Sequence, residues 1–309
     1  MLCTLLDLGP PTADLLTRLH AEVTGPEEAP PLLVLHGWGS SAAMMRPIAD
    51  VLADRFRVHN LDLPGHGRSP LPPEAWGVPE YAALVTAYLD AQGITEAIPA
   101  IGHSNGGRIL LHLTSDPATA ARFSRLVLVS PSGVRRLPTA KVRAKRGLAK
   151  VLQAPFRLLP QGSLREACFD WLRHSLVWRL IGSTDYNRLS GVMRETFVRT
   201  VGYHLDEKLG AIAAPVLVFW GDQDLDIVRQ QVNTLVARIP DAGLVVLPGA
   251  GHYGYLDRMD LFEAATRHFL LDEAPEASLF QRTSPDEEPL DGDAAVETMT
   301  DDPQRTTDP

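Results

Sequence analysis

The sequence of 309 residues predicts an α/β fold: a mostly parallel central sheet with helices on both faces, interrupted by a helical insertion. Short apolar runs of strand length alternate along the chain with segments of helical spacing, a pattern typical of parallel sheets covered on both sides. The alternation stops between about residues 133 and 210, where only the helical pattern continues. These two observations define the core and the insertion.

Six short runs, most of them apolar, carry the predicted strands, each bounded by Gly, Pro or polar residues. In chain order they are 32–36, 58–61, 97–101, 126–130, 216–220 and 244–247. Helical spacing predicts helices over 44–54, 81–91, 108–113 and 261–271. Functional groups in such sheets gather beyond the carboxyl ends of the strands, so the residues that follow these runs are the site candidates.

The charge is distributed unevenly along the chain. The whole chain has 29 basic and 38 acidic residues, a net charge of -9, which argues against nucleic-acid binding. Residues 272–309 hold 12 of the acids and only two bases, with no apolar period, which predicts a disordered acidic tail. Residues 135–208 have the opposite balance, with 15 basic and six acidic residues.

The N-terminus and the cysteines give no sign of export or of a metal site. No basic residue precedes the first apolar stretch, which Asp7 ends, and no run approaches the roughly 20 apolar residues of a membrane helix. Cys3 and Cys168 are far apart and have no ligand spacing, so neither a disulfide framework nor a metal motif is indicated. We therefore expect a cytoplasmic protein.

A G-x-S-x-G motif follows the third predicted strand directly and opens a helix. Its residues are Gly102, His103, Ser104, Asn105 and Gly106. A sharp strand-to-helix turn places Ser104 at an exposed apex, and glycine is needed on both sides because a Cβ would clash with neighbouring backbone. The amides of the following helix favour negative charge at the turn. Ser104 is thus the candidate nucleophile.

Four further segments agree with this motif. They are His36-Gly37-Trp38-Gly39, residues 62–69 (D-x-P-G-x-G-x-S), residues 221–224 and residues 249–252. Together these segments resemble the α/β-hydrolase superfamily, whose members cleave ester, amide and carbon–carbon bonds. The resemblance runs from about residue 30 to 271 outside the insertion. It implies an α/β-hydrolase core of residues 1–134 and 209–271, with a helical cap of residues 135–208 above the site.

His252 is the candidate general base, because it follows the last predicted strand and completes the chain order Ser, acid, His. Asp224, which follows the fifth strand, is the candidate acid that orients its imidazole. Two neighbours compete with Asp224. We interpret Asp222 as a turn or cap residue and Asp226 as a candidate cap of the next helix. Some members of the superfamily carry the acid after the fourth strand, but residues 130–134 contain no carboxylate.

An oxyanion hole needs backbone amides that point at the developing charge. We expect Asn105 to supply one amide and Trp38 the other. The Trp38 indole either forms a wall of the acyl pocket or packs in the core. We interpret His36, Gly37 and His103 as residues that brace these loops or line the pocket.

These residues predict a serine hydrolase that acts on a small molecule without a cofactor or metal. Its expected substrate is a carboxylic ester or thioester of a small to medium apolar acyl group, cleaved through an acyl-enzyme. The same triad would serve a C–C bond hydrolase, a lactonase or an acyltransferase, because the pocket determines the reaction. A non-catalytic ligand-binding homologue is a further alternative, against which the intact Ser104, Asp224 and His252 argue. The sequence makes no prediction of oligomeric state.

The basic part of the insertion has several interpretations. Seven Lys and Arg residues lie between 135 and 150, followed by an apolar stretch. An ordinary solvated helix face is favoured; contact with an anionic membrane surface, attraction of an anionic substrate and contact with the acidic tail are the alternatives. The aromatic residues of the insertion either form its own small core or line the pocket. They are Trp171, Trp178, Tyr186 and Phe197.

Overall fold

Seven strands form one sheet in the computed structural model of the protein, which describes residues 10–137 and 189–272. The strands are β1 Ala21–Thr24, β2 Pro31–Leu35, β3 Arg57–Leu61, β4 Ile98–His103, β5 Phe123–Val129, β6 Val216–Gly221 and β7 Ala242–Leu247. Their order across the sheet is β1-β3-β2-β4-β5-β6-β7, and only β1 runs antiparallel to its neighbour. The predicted mostly parallel sheet is confirmed, and β1 is an addition to it.

Helices cover both faces of the sheet. The described helices are α1 Pro10–Thr17, α2 Ala42–Leu52, α3 Val78–Ala91, α4 Asn105–Ser115, α5 Gly191–Val201, α6 Arg229–Arg238, α7 Gly254–Asp257 and α8 Met259–Leu271. Alternate residues of β5 face opposite sides, as a strand requires: Leu126 and Leu128 pack with α3, α4 and α6, whereas Val127 and Val129 pack with α2, α7 and α8.

The expected cap and tail lie mostly outside the described residues. Of the predicted cap, 135–208, the structure describes 135–137 and 189–208, which contain α5. The aromatic residues Trp171, Trp178 and Tyr186 fall outside the described ranges, as does the predicted tail beyond residue 272. No described helix is long and apolar enough to cross a membrane.

The topology places the ends of the parallel strands at one edge of the sheet. β4 is the central strand, and Ser104 follows it immediately. Asp224 follows β6, and His252 follows β7. Because parallel strands share a carboxyl edge, residues distant in the sequence are brought to the same rim of the sheet.

Candidate active site

Ser104 occupies a sharp turn between β4 and α4. Its backbone has φ 49° and ψ -107°, and its amide donates to the carbonyl of Val129 at 2.9 Å. A positive φ is uncommon for a residue with a side chain and persists where the surroundings enforce it, often at functional sites. The turn therefore holds the hydroxyl away from the strand, where it lines a cavity.

The glycines on either side make this turn possible. A Cβ on Gly102 would lie 2.6 Å from the amide nitrogen of Gly107, and a Cβ on Gly106 would overlap the carbonyl oxygen of Leu35. Both obstacles are backbone atoms, which cannot rotate away. The two glycines of the G-x-S-x-G motif thus let α4 pack closely against β4 and β2.

Asp224 and His252 form a hydrogen-bonded pair beside this turn. Nδ1 of His252 lies 2.9 Å from Oδ2 of Asp224, and the carboxylate is buried. Oδ1 of Asp224 accepts the amides of Asp226 and Ile227 at 2.8 and 3.0 Å. Because Nδ1 donates to the carboxylate, the lone pair of Nε2 is available to take a proton from a hydroxyl.

Burial and hydrogen bonding oppose each other at Asp224. Burial alone would raise the pKa of its carboxyl group, but the hydrogen bonds and charge of His252 and the amide of Ile227 outweigh it, so the pKa lies below its usual value. The carboxylate therefore stays ionised and can stabilise a positive charge on the imidazole.

The two competing carboxylates have other surroundings. Oδ1 of Asp222 accepts the amide of Gly249 at 2.8 Å, which braces the loop before His252, as expected of a turn residue. The interpretation of Asp226 as a helix cap is wrong, because Val228 is the residue that precedes α6. Asp226 is exposed and lines the cavity instead.

One group of side chains in the described part of the chain has the spacing of metal ligands. It consists of Asp224, Asp226 and His252, whose ligand atoms lie within 4.8 Å of one another. Two of them are already joined by the hydrogen bond between Nδ1 and Oδ2. The arrangement therefore matches an acid–base pair at least as well as a metal site.

Two backbone amides lie free next to Ser104. Neither Trp38 nor Asn105 donates its amide to any acceptor among the described residues, and both residues line the same cavity as the hydroxyl. Asn105 begins α4, so its amide belongs to the positive end of the helix dipole. Free amides at this position can hold the negative oxygen of a tetrahedral intermediate.

His36 braces the loop that carries Trp38. Its Nδ1 donates to the carbonyl of Gly37 at 2.7 Å, and its Nε2 accepts the amide of Leu63 at 2.9 Å. Burial, strengthened by the nearby His66, lowers the pKa of His36 to about 4, so the ring is neutral near pH 7.

His103 braces the loop that carries His252. Its Nε2 donates to the carbonyl of His252 at 3.0 Å, and its ring stacks on Tyr253 with centroids 4.7 Å apart. Burial, with the neighbouring His252, lowers the pKa of His103 to about 3. A Cβ on Gly37 would lie 2.8 Å from Nδ1 of this ring, so glycine lets the two loops approach.

The cavity has a volume of about 590 Å³. Its polar lining includes Ser104, Asn105 and His252, and its apolar lining includes Trp38 and Phe197. The Trp38 and Phe197 rings contact each other with centroids 5.2 Å apart, which joins the loop after β2 to helix α5. The Trp38 indole is thus a wall of the cavity, and Phe197 is an aromatic residue of the insertion that reaches it.

The sequence profile described as alpha/beta hydrolase fold matches residues 30–258, well over half of the chain. The protein belongs to the α/β-hydrolase family. The match includes the Ser104 turn and both residues of the Asp224–His252 pair.

Individual relatives of this α/β hydrolase include enzymes of two kinds. It is 28% identical to a pimeloyl-[acyl-carrier protein] methyl ester esterase of Chromobacterium violaceum, over 81% of this chain and 98% of the relative. It is 27% identical to a 2-hydroxy-6-oxo-6-phenylhexa-2,4-dienoate hydrolase of Burkholderia cepacia, over 82% and 91%. The solved structure of the hydrolase of that name from Rhodococcus sp. strain RHA1 is similar, with a TM-score of 0.60, 25% identity and coverage of 81% and 94%.

Two further charged residues line the cavity of this α/β hydrolase, Arg108 and Asp226. From the sequence, Asp226 is considered only as a competitor of Asp224, and Arg108 is not singled out. Arg108 is the fourth residue of α4, which begins directly after Ser104, and both residues line the cavity. A charged residue at this spacing, in a helix that otherwise buries apolar and small side chains, is the signal that could have identified it.

Proposed function

We propose that the protein is a serine hydrolase that cleaves a carboxylic ester or thioester of a small to medium apolar acyl group through an acyl-enzyme. The observation that carries the proposal is the convergence of the Ser104 hydroxyl, the His252–Asp224 pair and two free amides on one cavity. Acyl transfer requires these three components: a nucleophile, an oriented base and an oxyanion site.

In the proposed reaction, Oγ of Ser104 attacks the ester carbonyl while Nε2 of His252 takes the hydroxyl proton. The carbonyl oxygen becomes an oxyanion held by the amides of Trp38 and Asn105, and the Asp224 carboxylate stabilises the imidazolium. Collapse of this intermediate breaks the bond to the leaving group, which receives the proton from His252. Water, activated by the same imidazole, then hydrolyses the acyl-enzyme and frees Ser104.

The cavity supports an apolar acyl group, because Trp38 and Phe197 form part of its wall. Since Phe197 belongs to α5, we also propose that residues 135–208 form a cap over the site. The name of the Chromobacterium violaceum relative, a methyl ester esterase, agrees with ester cleavage.

A second candidate is hydrolysis of a carbon–carbon bond with the same triad. It is favoured by the similarity to the phenylhexadienoate hydrolases in both sequence and structure. Parallel assays with p-nitrophenyl esters and with a vinylogous 1,5-diketone separate the two reactions. If the diketone is turned over faster than the esters, carbon–carbon bond hydrolysis is the better assignment and the esterase proposal is wrong.

Labelling by a fluorophosphonate probe tests the shared chemistry and excludes a merely ligand-binding homologue. We expect the probe to label the wild type, and Ser104→Ala to lose both labelling and ester hydrolysis. Ser115→Ala is the matched control, since Ser115 ends the same helix and its hydroxyl bonds only the carbonyl of His112. Full esterase activity in Ser104→Ala would refute the proposal.

A further inference from the structure

Arg108 is a buried arginine in the wall of the candidate active site. Its relative exposure is only 7%, and it lines the cavity together with Ser104. Burial lowers the pKa of its guanidinium to about 10, which still leaves the group charged near pH 7. A buried charge costs much free energy unless a partner compensates it.

The described part of the chain supplies no charged partner. Nη1 of Arg108 donates to the backbone carbonyl of Thr200 at 2.5 Å, Nε is buried without an acceptor, and no described carboxylate forms an ion pair with the group. Arg122 shows the contrast: this partly buried arginine forms an ion pair with Asp90 at 2.6 Å. Nε of Arg122 also lacks an acceptor, so the contrast is one of charge: Arg122 has a carboxylate partner, and Arg108, beside a cavity, has none among the described residues.

A purely structural role explains only part of this arrangement. Thr200 lies in the last turn of α5, and its carbonyl also accepts the backbone amide of Tyr203 at 3.1 Å, so the bond from Arg108 adds to that one and ties α5 to α4. One neutral donor would be enough for one carbonyl, however, and a guanidinium carries five N–H donors and a full charge. The remaining donors and the charge are unexplained by the contact with Thr200.

We propose that Arg108 binds a carboxylate carried by the substrate, so that the preferred substrate is an ester or thioester with a free carboxylate elsewhere in its acyl chain. A guanidinium binds a carboxylate through two parallel hydrogen bonds, which would supply a countercharge that the described residues do not. The half-ester of a linear dicarboxylic acid is the simplest such molecule. This inference rests on the proposed serine hydrolase chemistry.

The spacing of the two residues suits such a substrate. Ser104 directly precedes α4 and Arg108 is the fourth residue of that helix, about 6 Å further along its axis, and helical side chains lean towards the N-terminus, here towards Ser104. A short methylene chain spans distances of this order. The basic excess of residues 135–208 would also attract an anion from solution.

The test compares monomethyl esters of succinate, glutarate, adipate and pimelate with the dimethyl ester of the same acid. Each pair has the same chain, and only the free carboxylate differs. The measured quantity is the ratio of kcat/KM for the half-ester to kcat/KM for the diester, per ester group. Changes that affect both substrates equally, such as a shift of α5, cancel in this ratio.

We expect a wild-type ratio above about 10 for at least one acid, and a fall of about 10- to 100-fold in Arg108→Gln, since hydrogen bonds to charged groups contribute about this much. Arg108→Lys should fall between the two, because it keeps the charge and loses the paired hydrogen bonds. Arg199→Gln is the control: this exposed arginine of α5 pairs with Glu195 and does not line the cavity.

A wild-type ratio near or below unity across the series overturns the inference, as does an unchanged ratio in Arg108→Gln. If Arg108→Gln does not fold, the test rests on the ratio in the wild type and on whether that ratio falls in Arg108→Lys. Failure of the proposed function gives a different result, namely diester hydrolysis that persists in Ser104→Ala. Diester hydrolysis that depends on Ser104 but shows no preference for half-esters removes only the role of Arg108.

Discussion

His103 donates a hydrogen bond from Nε2 to the backbone carbonyl of His252 at 3.0 Å. The residue immediately before Ser104 thus fixes the loop that carries its proposed base. Since the His103 ring is buried and stacked on Tyr253, it cannot shift without moving that loop. The position of the His252 loop relative to Ser104 therefore depends on the side chain of the residue next to Ser104.

His103→Phe should lower kcat for a p-nitrophenyl ester by roughly tenfold with little change in KM. The ring would remain stacked, but the loop of His252 would lose its donor, and small displacements of a catalytic group are costly. His103→Gln should recover part of the loss, because its amide can donate to the same carbonyl. Wild-type kcat in His103→Phe would show that the bond does not position the base.

Asp224→Asn should lower kcat by about 10³- to 10⁴-fold, because an amide favours the wrong tautomer of His252 and cannot stabilise its cation. Asp222→Asn is the matched control in the same turn: its remaining oxygen can still accept the amide of Gly249, so we expect less than about a threefold loss. Steady-state ester hydrolysis measures both. A larger effect at Asp222 or Asp226 than at Asp224 would reassign the acid.

Gly106→Ala should destabilise the fold by about 3 kcal/mol, because its Cβ would overlap the carbonyl oxygen of Leu35 in β2. Gly210→Ala is the control, since the nearest atom to its added Cβ is 3.9 Å away. Urea unfolding of the two variants gives the free energies of unfolding. Equal stabilities would mean that α4 and β2 can separate at little cost.

Acid should destabilise the protein through its buried neutral histidines. Burial lowers the pKa of His36 to about 4 and of His103 to about 3, whereas histidine in an unfolded chain titrates near 6.5. As the pH falls from about 6.5 towards these lower pKa values, the unfolded chain binds protons that the folded chain does not, so the free energy of unfolding decreases.

Each of the two histidines should contribute about 2 kcal/mol of this loss between pH 7 and pH 5. Thermal unfolding followed across this range measures it. His103→Phe should show a shallower pH dependence than the wild type, because one of the titrating groups is gone. Identical slopes would contradict a buried neutral His103.

Strands such as β2 and β5 were predictable because they are mainly apolar runs whose residues are mostly buried. Strand β1 was not predictable, because Ala21–Thr24 is a short edge strand that contains Glu22. What stabilises it is its pairing with β3, which the sequence does not reveal. α6 was missed for a related reason: Arg229–Arg238 buries only Gln231, Val232 and Leu235, which is too narrow a stripe to be recognised in the sequence.

At the site, short motifs with fixed spacing identified Ser104, Asp224 and His252, because each must follow a strand at a particular distance. Arg108 escaped notice, and Asp226 was weighed only as a competitor of Asp224, since the place of either residue in the cavity depends on what surrounds it in space. Oε1 of Gln231 accepts the amide of Val228 at the start of α6, and the exposed Asp226 lines the cavity. The spacing of residues in the sequence does not tell which side chain accepts a given backbone amide.

The order of the strands distributes the three proposed catalytic residues over regions of different local stability. Ser104 follows the central strand, Asp224 the last strand but one, and His252 the edge strand β7, whose residues are mostly only partly buried. Local opening is easiest at the margins of a sheet. On warming, the amide hydrogens of β7 should therefore exchange well before those of β4. Heat inactivation should begin when His252, which follows β7, is displaced and can no longer take the proton, while Ser104 is still held at its turn.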